Sequence, residues 1–145
     1  MNYGRGLGRY QQTSIETAGK LDLVIMCYEK AVESFARAKE YYAAKEYEKK
    51  ARAIQKGLDI VNELQCSLDM ERGGEIAGNL NRIYTYINQR IIEGDIRSDL
   101  GVFDEAVGLL KDLKEAWEGI AREQEGSVDP GAASKRLSNS AQVAA

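Results

Sequence analysis

Few residues in this chain have the types and spacing that chemistry requires. The 145 residues include no histidine, the commonest general base near neutral pH and the commonest metal ligand. Pairs of a serine or cysteine nucleophile with histidine are therefore excluded. The two cysteines, Cys27 and Cys66, lie in separate apolar periodic segments, whereas a redox pair or zinc knuckle places them about two to four residues apart. We expect two reduced thiols in the core, and the sequence leaves a disulfide open.

Glycines and carboxylates offer two weaker candidates for a ligand site. Gly4, Gly6 and Gly8 form a G-x-G-x-G pattern, but no strand precedes it and no lysine-serine pair follows, so the context of a phosphate-binding loop is missing. Glu115 and Glu118 have helical spacing, but carboxylate metal sites in helical bundles also use histidine. Solvated helix faces explain the acidic pairs. We therefore predict no cofactor, no metal and no enzymatic activity.

The composition is that of one soluble domain. The formal net charge is −3, with 20 basic and 23 acidic residues intermixed, so no strong positive field is expected to hold nucleic acid or an anionic membrane. The longest apolar run, 23–28, is far shorter than the roughly 18 residues that span a membrane. The N-terminus lacks the apolar stretch of a signal peptide. These features predict a cytoplasmic protein without membrane insertion.

Apolar residues recur at alternating steps of four and three in four segments, which is the spacing of one helical face. The pattern predicts helices near 18–42, 46–68, 73–93 and 99–124. Short links make consecutive helices antiparallel neighbours. Strand alternation and hairpin signals are missing. The predicted fold is all-α, an antiparallel up-down-up-down four-helix bundle.

The bundle is expected to cover residues 18–125. The glycine-rich residues 1–17 are predicted to be a flexible head and the small, polar residues 126–145 a flexible tail. Phe35 and Trp117 sit at the centre of their apolar stripes and are expected to be buried core anchors.

Two adjacent glycines, Gly73 and Gly74, interrupt an otherwise helical stretch. A glycine adopts the left-handed conformation that other residues resist, and the carboxylate of Glu75 suits the positive start of the next helix. We therefore predict a helix–helix corner at this point.

The apolar faces of the first two predicted helices are wider than packing against one neighbouring helix requires. Leu23, Met26 and Cys27 lie beside the main stripe of the first helix, and Ile60 and Leu64 widen the second. Surplus apolar surface on a small bundle suggests a partner, although from the residues alone the better explanation is a four-helix core that simply uses wide faces. Eight tyrosines, against two phenylalanines and one tryptophan, also suit a contact surface.

Four blocks of the sequence, in order, carry a family resemblance. They are "YQQTSIETA" at 10–18, "LDLVIMCYEKAV" at 21–32, "ELQCSLDMERGGEIAGNLNRIYTYINQRIIEGDI" at 63–96 and "EAVGLLKDLKEAWEGI" at 105–120. Together they resemble the FliS family of flagellar secretion chaperones. The chain departs from the family pattern at 18–20, where a small polar residue and proline are usual, and at 28–31, where Y-D-G-A is common.

The resemblance implies a function. Proteins of this kind bind the C-terminal segment of flagellin in the cytoplasm, prevent its premature polymerisation, and bring it to a component of the flagellar type III export gate, without catalysis. Their N-terminal segment covers the groove when no client is bound, which suggests that role for the head around Tyr10. The client groove is hypothesised to be lined by Leu23, Cys27, Ile54, Leu58, Val61 and Leu68. The alternative is a self-associating four-helix scaffold with no export role.

Overall fold

All regular secondary structure in the described part of the chain is helical. The computed structural model describes the backbone of residues 11–126 and the side chains of residues 19–123. It contains the helices α1 (Gln11–Ala43), α2 (Tyr47–Cys66), α3 (Gly74–Arg97) and α4 (Gly101–Gly126). The predicted all-α bundle is confirmed.

The helices form an up-down-up-down bundle. Helix α1 packs against α2 and α4, and α3 contacts the same two helices from the opposite corner. Near the end of α1, Lys39 pairs with Asp104 of α4 at 2.8 Å. Earlier in α1, Glu29 pairs with Lys114, which lies further along α4, at 3.6 Å. The partner number falls as the residue number rises, so α1 and α4 are antiparallel. The predicted topology is therefore confirmed.

Two of the predicted helix boundaries are wrong by several residues. Helix α1 begins at Gln11 rather than at 18, because Gly19 is tolerated inside the helix with nothing near its missing side chain. Helix α3 continues through the buried Gly94 and ends at Arg97, followed by Ser98, whose φ of 57° is left-handed. The predicted flexible segments fall largely on residues 1–10 and 127–145, which lie outside the described part.

The two glycines of the predicted corner are required for different reasons. A Cβ on Gly73 would lie 2.6 Å from the Asp69 carbonyl oxygen, so this position has no room for a side chain. Gly74 has open space around it but a φ of +52°, which side chains resist. Before them, Asp69 Oδ1 accepts hydrogen bonds from the backbone N–H groups of Glu71 and Arg72 at 3.1 and 2.9 Å. The corner between α2 and α3 is confirmed.

Phe35 anchors the core where α1 meets α2. Its side chain is fully buried, as predicted, and its ring lies directly over Gly57 of α2. A Cβ on Gly57 would sit 2.6 Å from Phe35 Cζ, well inside van der Waals contact. The missing side chain is therefore what allows α2 to approach α1 at this level.

Trp117 differs from the prediction, because its ring is only partly buried. Its indole N–H donates a 3.0 Å hydrogen bond to the hydroxyl of Tyr28, which also bonds the hydroxyl of Tyr84. A tryptophan seated with its N–H toward this hydroxyl leaves part of its ring at the edge of the core. The three side chains link α4, α1 and α3 across the bundle, and Tyr28 and Tyr84 are almost fully buried.

Burial raises the pKa of both tyrosines of this cluster, to about 12 for Tyr84. An unfolded tyrosine loses its proton near pH 10. The folded chain thus holds protons that the unfolded chain releases between about pH 10 and 12, so raising the pH across this window lowers the free energy of unfolding.

Gly57→Ala is expected to destabilise the bundle by about 1–3 kcal/mol, because its methyl group has to displace the Phe35 ring. The matched control is Gly108→Ala in α4, where nothing lies near the added methyl group; there alanine should stabilise the helix by up to about 1 kcal/mol. Urea unfolding of both variants measures the difference. Shifts of the same sign would show that Gly57 is not a packing constraint.

Tyr84→Phe should make stability less sensitive to alkali. The wild-type free energy of unfolding is expected to fall by on the order of 2 kcal/mol more than that of the variant between about pH 10 and 12. Tyr47→Phe is the control, since Tyr47 is half-exposed and its hydroxyl has no hydrogen bond among the described residues. Denaturant titrations at a series of pH values test this, and parallel curves for Tyr84→Phe and wild type would contradict it.

Candidate functional site

A groove runs between α1 and α2. It consists of two hollows of about 460 and 490 Å³ that share Cys27 and Glu63 and are therefore continuous. The first is lined in addition by Lys20, Leu23, Val24, Leu64, Cys66 and Ser67, and the second by Arg52, Gln55, Lys56, Asp59 and Ile60.

Helical spacing brings these side chains to one seam. On α1 the lining residues Lys20, Leu23 and Cys27 follow steps of three and four. On α2 the lining follows steps of four, three and four through Lys56, Ile60, Glu63 and Ser67. Each set lies beside the buried stripe of its helix, so the groove is the outer margin of the α1–α2 contact.

The groove has an apolar floor and charged walls. Leu23 keeps 37% of its surface exposed, and the neighbouring Met26 keeps 48%. Within the described part of the chain, Lys20 and Lys56 form no ion pair. Asp59 accepts a 2.8 Å hydrogen bond from Gln55 across one turn of α2. Asp59 and Glu63 add carboxylates to the same walls, so the groove combines apolar surface with charges of both signs, which suits an amphipathic segment.

Both thiols of the chain border the groove, and neither forms a disulfide. Cys27 is half-buried, and partial burial, followed by the nearby Glu63 carboxylate, raises the pKa of its thiol. The thiol therefore stays protonated at neutral pH and contributes contact surface. Cys66 is exposed at the end of α2, so the prediction of a core thiol is wrong for this residue.

Only some of the predicted groove residues lie in this groove. Leu23 and Cys27 line it. Ile54 and Val61 do not, because they occupy the inward face of α2 and are 6% and 0% exposed. They belong to the bundle core, which corrects their placement on an open surface. Tyr10 lies outside the described residues.

Leu58 and Leu68 are partly buried and pack against the core. Leu58 precedes by one turn Asn62, which bonds Asn88 of α3, so Leu58 lies on the side of α2 that faces α3. Leu68 lies in the corner beyond the end of α2. Neither residue lines the α1–α2 groove.

Sequence reasoning missed most of the polar lining. Lys20, Lys56, Glu63 and Ser67 have the same helical spacing as many other exposed residues, so nothing in the sequence marked them. Ile60 and Leu64 were recognised as widening the apolar face of α2 and do line the groove. Periodicity finds the apolar margin of a helix but does not show which neighbouring helix it meets.

Comparison with known proteins shows which family shares the sequence pattern of this chain. The profile described as flagellar protein FliS matches residues 3–124. The chain belongs to the FliS family. Its sequence is 34% identical over 121 residues to that of the flagellar secretion chaperone FliSB of Pseudomonas aeruginosa. The aligned residues cover 81% of this chain and 96% of that protein.

Other FliS proteins are similarly related. The flagellar secretion chaperone FliS of Salmonella typhimurium is 33% identical over 121 residues, covering 80% of this chain and 90% of that protein. The FliS protein of Bacillus subtilis is 28% identical over 108 residues, covering 74% and 80%. The chain thus spans nearly the full length of these chaperones.

The described part of the chain contains neither a membrane-spanning helix nor a cluster of metal ligands. Within residues 11–126, no helix is long and apolar enough to cross a membrane. The described side chains also contain no group of three cysteine, aspartate or glutamate residues placed to hold a metal ion.

The variants Val61→Asp and Leu23→Asp should distinguish a core position from a groove position by their effect on stability. Val61 is fully buried, so an unpaired carboxylate there is expected to lower the free energy of unfolding by several kcal/mol, on the order of 3 or more. Leu23 is at the groove surface, and the same change should cost about 1 kcal/mol or less. Thermal unfolding by circular dichroism measures both, and equal losses would contradict the assignment.

Proposed function

We propose that this protein is a cytoplasmic export chaperone that binds the C-terminal segment of flagellin. In this role it keeps the segment from polymerising early and brings flagellin to the flagellar type III export gate. Membership of the FliS family supports the proposal, since its curated relatives are named flagellar secretion chaperones.

The observation that carries the proposal is the α1–α2 groove. An amphipathic helix binds by laying its apolar face into such a groove, with its polar face toward the rim. The groove offers Leu23, Val24 and Ile60 to the apolar face and unpaired lysines to the rim. A client segment that is disordered when free recovers the cost of folding by burying apolar surface there.

The length of the groove suits a client helix. Its lining on α2 extends from Arg52 to Ser67, which at 1.5 Å per residue is about 22 Å. A client helix of about four turns would lie along it. The apolar side chains on each turn of such a helix would then contact the apolar floor of the groove. Binding would therefore be distributed along the groove rather than concentrated at one residue.

The head around Tyr10 belongs to the same proposal. If it covers the empty groove, it competes with the client, and deletion of residues 1–10 should tighten client binding. Self-association of the bundle is the alternative function. Size-exclusion chromatography with and without flagellin distinguishes them, because the export role requires a complex of the chaperone with flagellin whereas a scaffold assembles without it.

Leu23→Asp is expected to weaken binding of a flagellin C-terminal peptide by about 2 kcal/mol or more, roughly thirtyfold, because it places an unpaired charge on the apolar floor. Leu23→Met is the matched control, since it keeps the volume and the apolar character. Titration calorimetry with flagellin of the same organism provides the affinities. If both variants bind like wild type, the client does not use this groove.

A further inference from the structure

The two cysteines of the chain lie on opposite walls of the first hollow of the groove. Cys27 belongs to α1, Cys66 is the last residue of α2, and both line the same space of about 460 Å³. Both thiols are free. Since the chain has two cysteines in all, an intramolecular disulfide would have to join these two across the hollow.

The register of α1 on α2 is fixed by two contacts that lie beyond the hollow. The Phe35 ring lies against Gly57, whose missing side chain lets the two helices approach closely. Seven residues further along α1 and seven residues earlier in α2, Lys50 Nζ lies 5.0 Å from the centre of the Tyr42 ring. The two contacts agree, so the antiparallel helices keep one register over this length.

The same register places the two thiols at nearly the same level. Cys27 lies eight residues before Phe35 on α1, and the residue eight positions after Gly57 on α2 is the immediate neighbour of Cys66. The levels differ by about one residue, or about 1.5 Å. Burial, followed by the carboxylate of Glu63, raises the pKa of the Cys27 thiol. Glu63 lies one turn before Cys66, so this side of α2 faces Cys27.

Cys66 is the member of the pair that can move. Cys27 precedes the fully buried Tyr28, so the core fixes its position. Cys66 is exposed, and the last turn of a helix lacks part of the backbone hydrogen bonding of the interior. A disulfide requires Cα atoms about 4.4–6.8 Å apart. Rotation of the last turn of α2 toward α1 supplies the approach across the hollow.

We propose that Cys27 and Cys66 form a reversible disulfide across the first hollow, and that this bond closes the client groove. In the reduced chain the groove is open. In the oxidised chain, the sulfur bridge and the end of α2 cover the floor at Leu23 and Val24, so a client helix loses its contact surface there. The effect on the client rests on the proposed function, whereas formation of the bond does not.

The oxidant is a low-molecular-weight disulfide, and the reaction is two thiol–disulfide exchanges. The exposed Cys66 thiol loses its proton and attacks one sulfur of the small disulfide, which releases one small thiol and leaves a mixed disulfide on Cys66. The Cys27 thiol then loses its proton and attacks the Cys66 sulfur, and the second small thiol leaves. The two protein thiols are oxidised by two electrons, and the small disulfide is reduced to two thiols.

Oxidised glutathione tests formation of the bond. After treatment of the dilute full-length chain, we expect loss of both reactive thiols, an intact mass lower by two hydrogen atoms, and a non-reduced digest in which one peptide pair links Cys27 to Cys66. Cys27→Ser should instead stop at the mixed disulfide and gain the mass of one glutathione. A wild-type chain that carries two glutathiones, forms covalent dimers or keeps both thiols would overturn the proposal.

Client affinity tests closure of the groove. The oxidised wild-type chain is expected to bind the flagellin C-terminal segment about tenfold more weakly or worse, and dithiothreitol should restore the affinity of the reduced chain. The double variant Cys27→Ser/Cys66→Ser is the matched control, since the same treatment should not change its affinity. A bridged chain that binds the segment like the reduced chain would overturn closure.

The two measurements also keep the proposals apart. If the reduced wild-type chain does not bind the segment, the proposed function fails, while the mass and the linked peptide still decide whether the disulfide forms. If the reduced chain binds and oxidation does not produce the bridge, the redox proposal alone fails.

Discussion

The close contact between Phe35 and Gly57 is the constraint on which the rest of the bundle depends. It sets how near α2 comes to α1, because any side chain at position 57 would push the ring away. The two helices then bury Val61 and Ile54 between them and leave their outer margins apart. Core and groove are therefore two parts of one contact, and the separation of the helices governs both.

The second structural element is the hydrogen-bonded cluster of Tyr28, Tyr84 and Trp117. It joins the three helices that do not include α2, since its members lie on α1, α3 and α4. Helix α2 packs through its own buried apolar residues, among them Ile54 and Val61, and has no share in this cluster. The proposed client groove borders α2, whereas the polar cluster joins the other three helices.

The fold could be predicted from the sequence because its signals are periodic. Steps of four and three located all four helices, and they placed Phe35 in the core. The helix boundaries could be predicted less well, because Gly19 and Gly94 resemble helix ends in the sequence but lie inside α1 and α3. A glycine is favoured at a helix end because it adopts a positive φ easily. At the end of α3 the residue with a positive φ is Ser98 and not Gly94.

The candidate site could be predicted only in part. The width of the apolar faces indicated a groove on the first two helices, and Leu23 and Cys27 line one. Periodicity alone did not show which flank of α2 meets α1, so Leu58 was assigned to the wrong side. The hydrogen bonds that join Gln65 to Asn81 and Asn62 to Asn88 could not be predicted, because asparagine and glutamine on a helix have the pattern of ordinary solvent-exposed residues.

The position of Trp117 has an optical consequence. It is the chain's single tryptophan, and its indole N–H bonds a buried hydroxyl at the meeting point of three helices, outside the lining of the α1–α2 groove. Its fluorescence emission therefore reports on the polar centre of the bundle and not on direct contact with a client. A shift in that emission on mixing with flagellin would mean that occupation of α2 is transmitted through the core to the opposite helices.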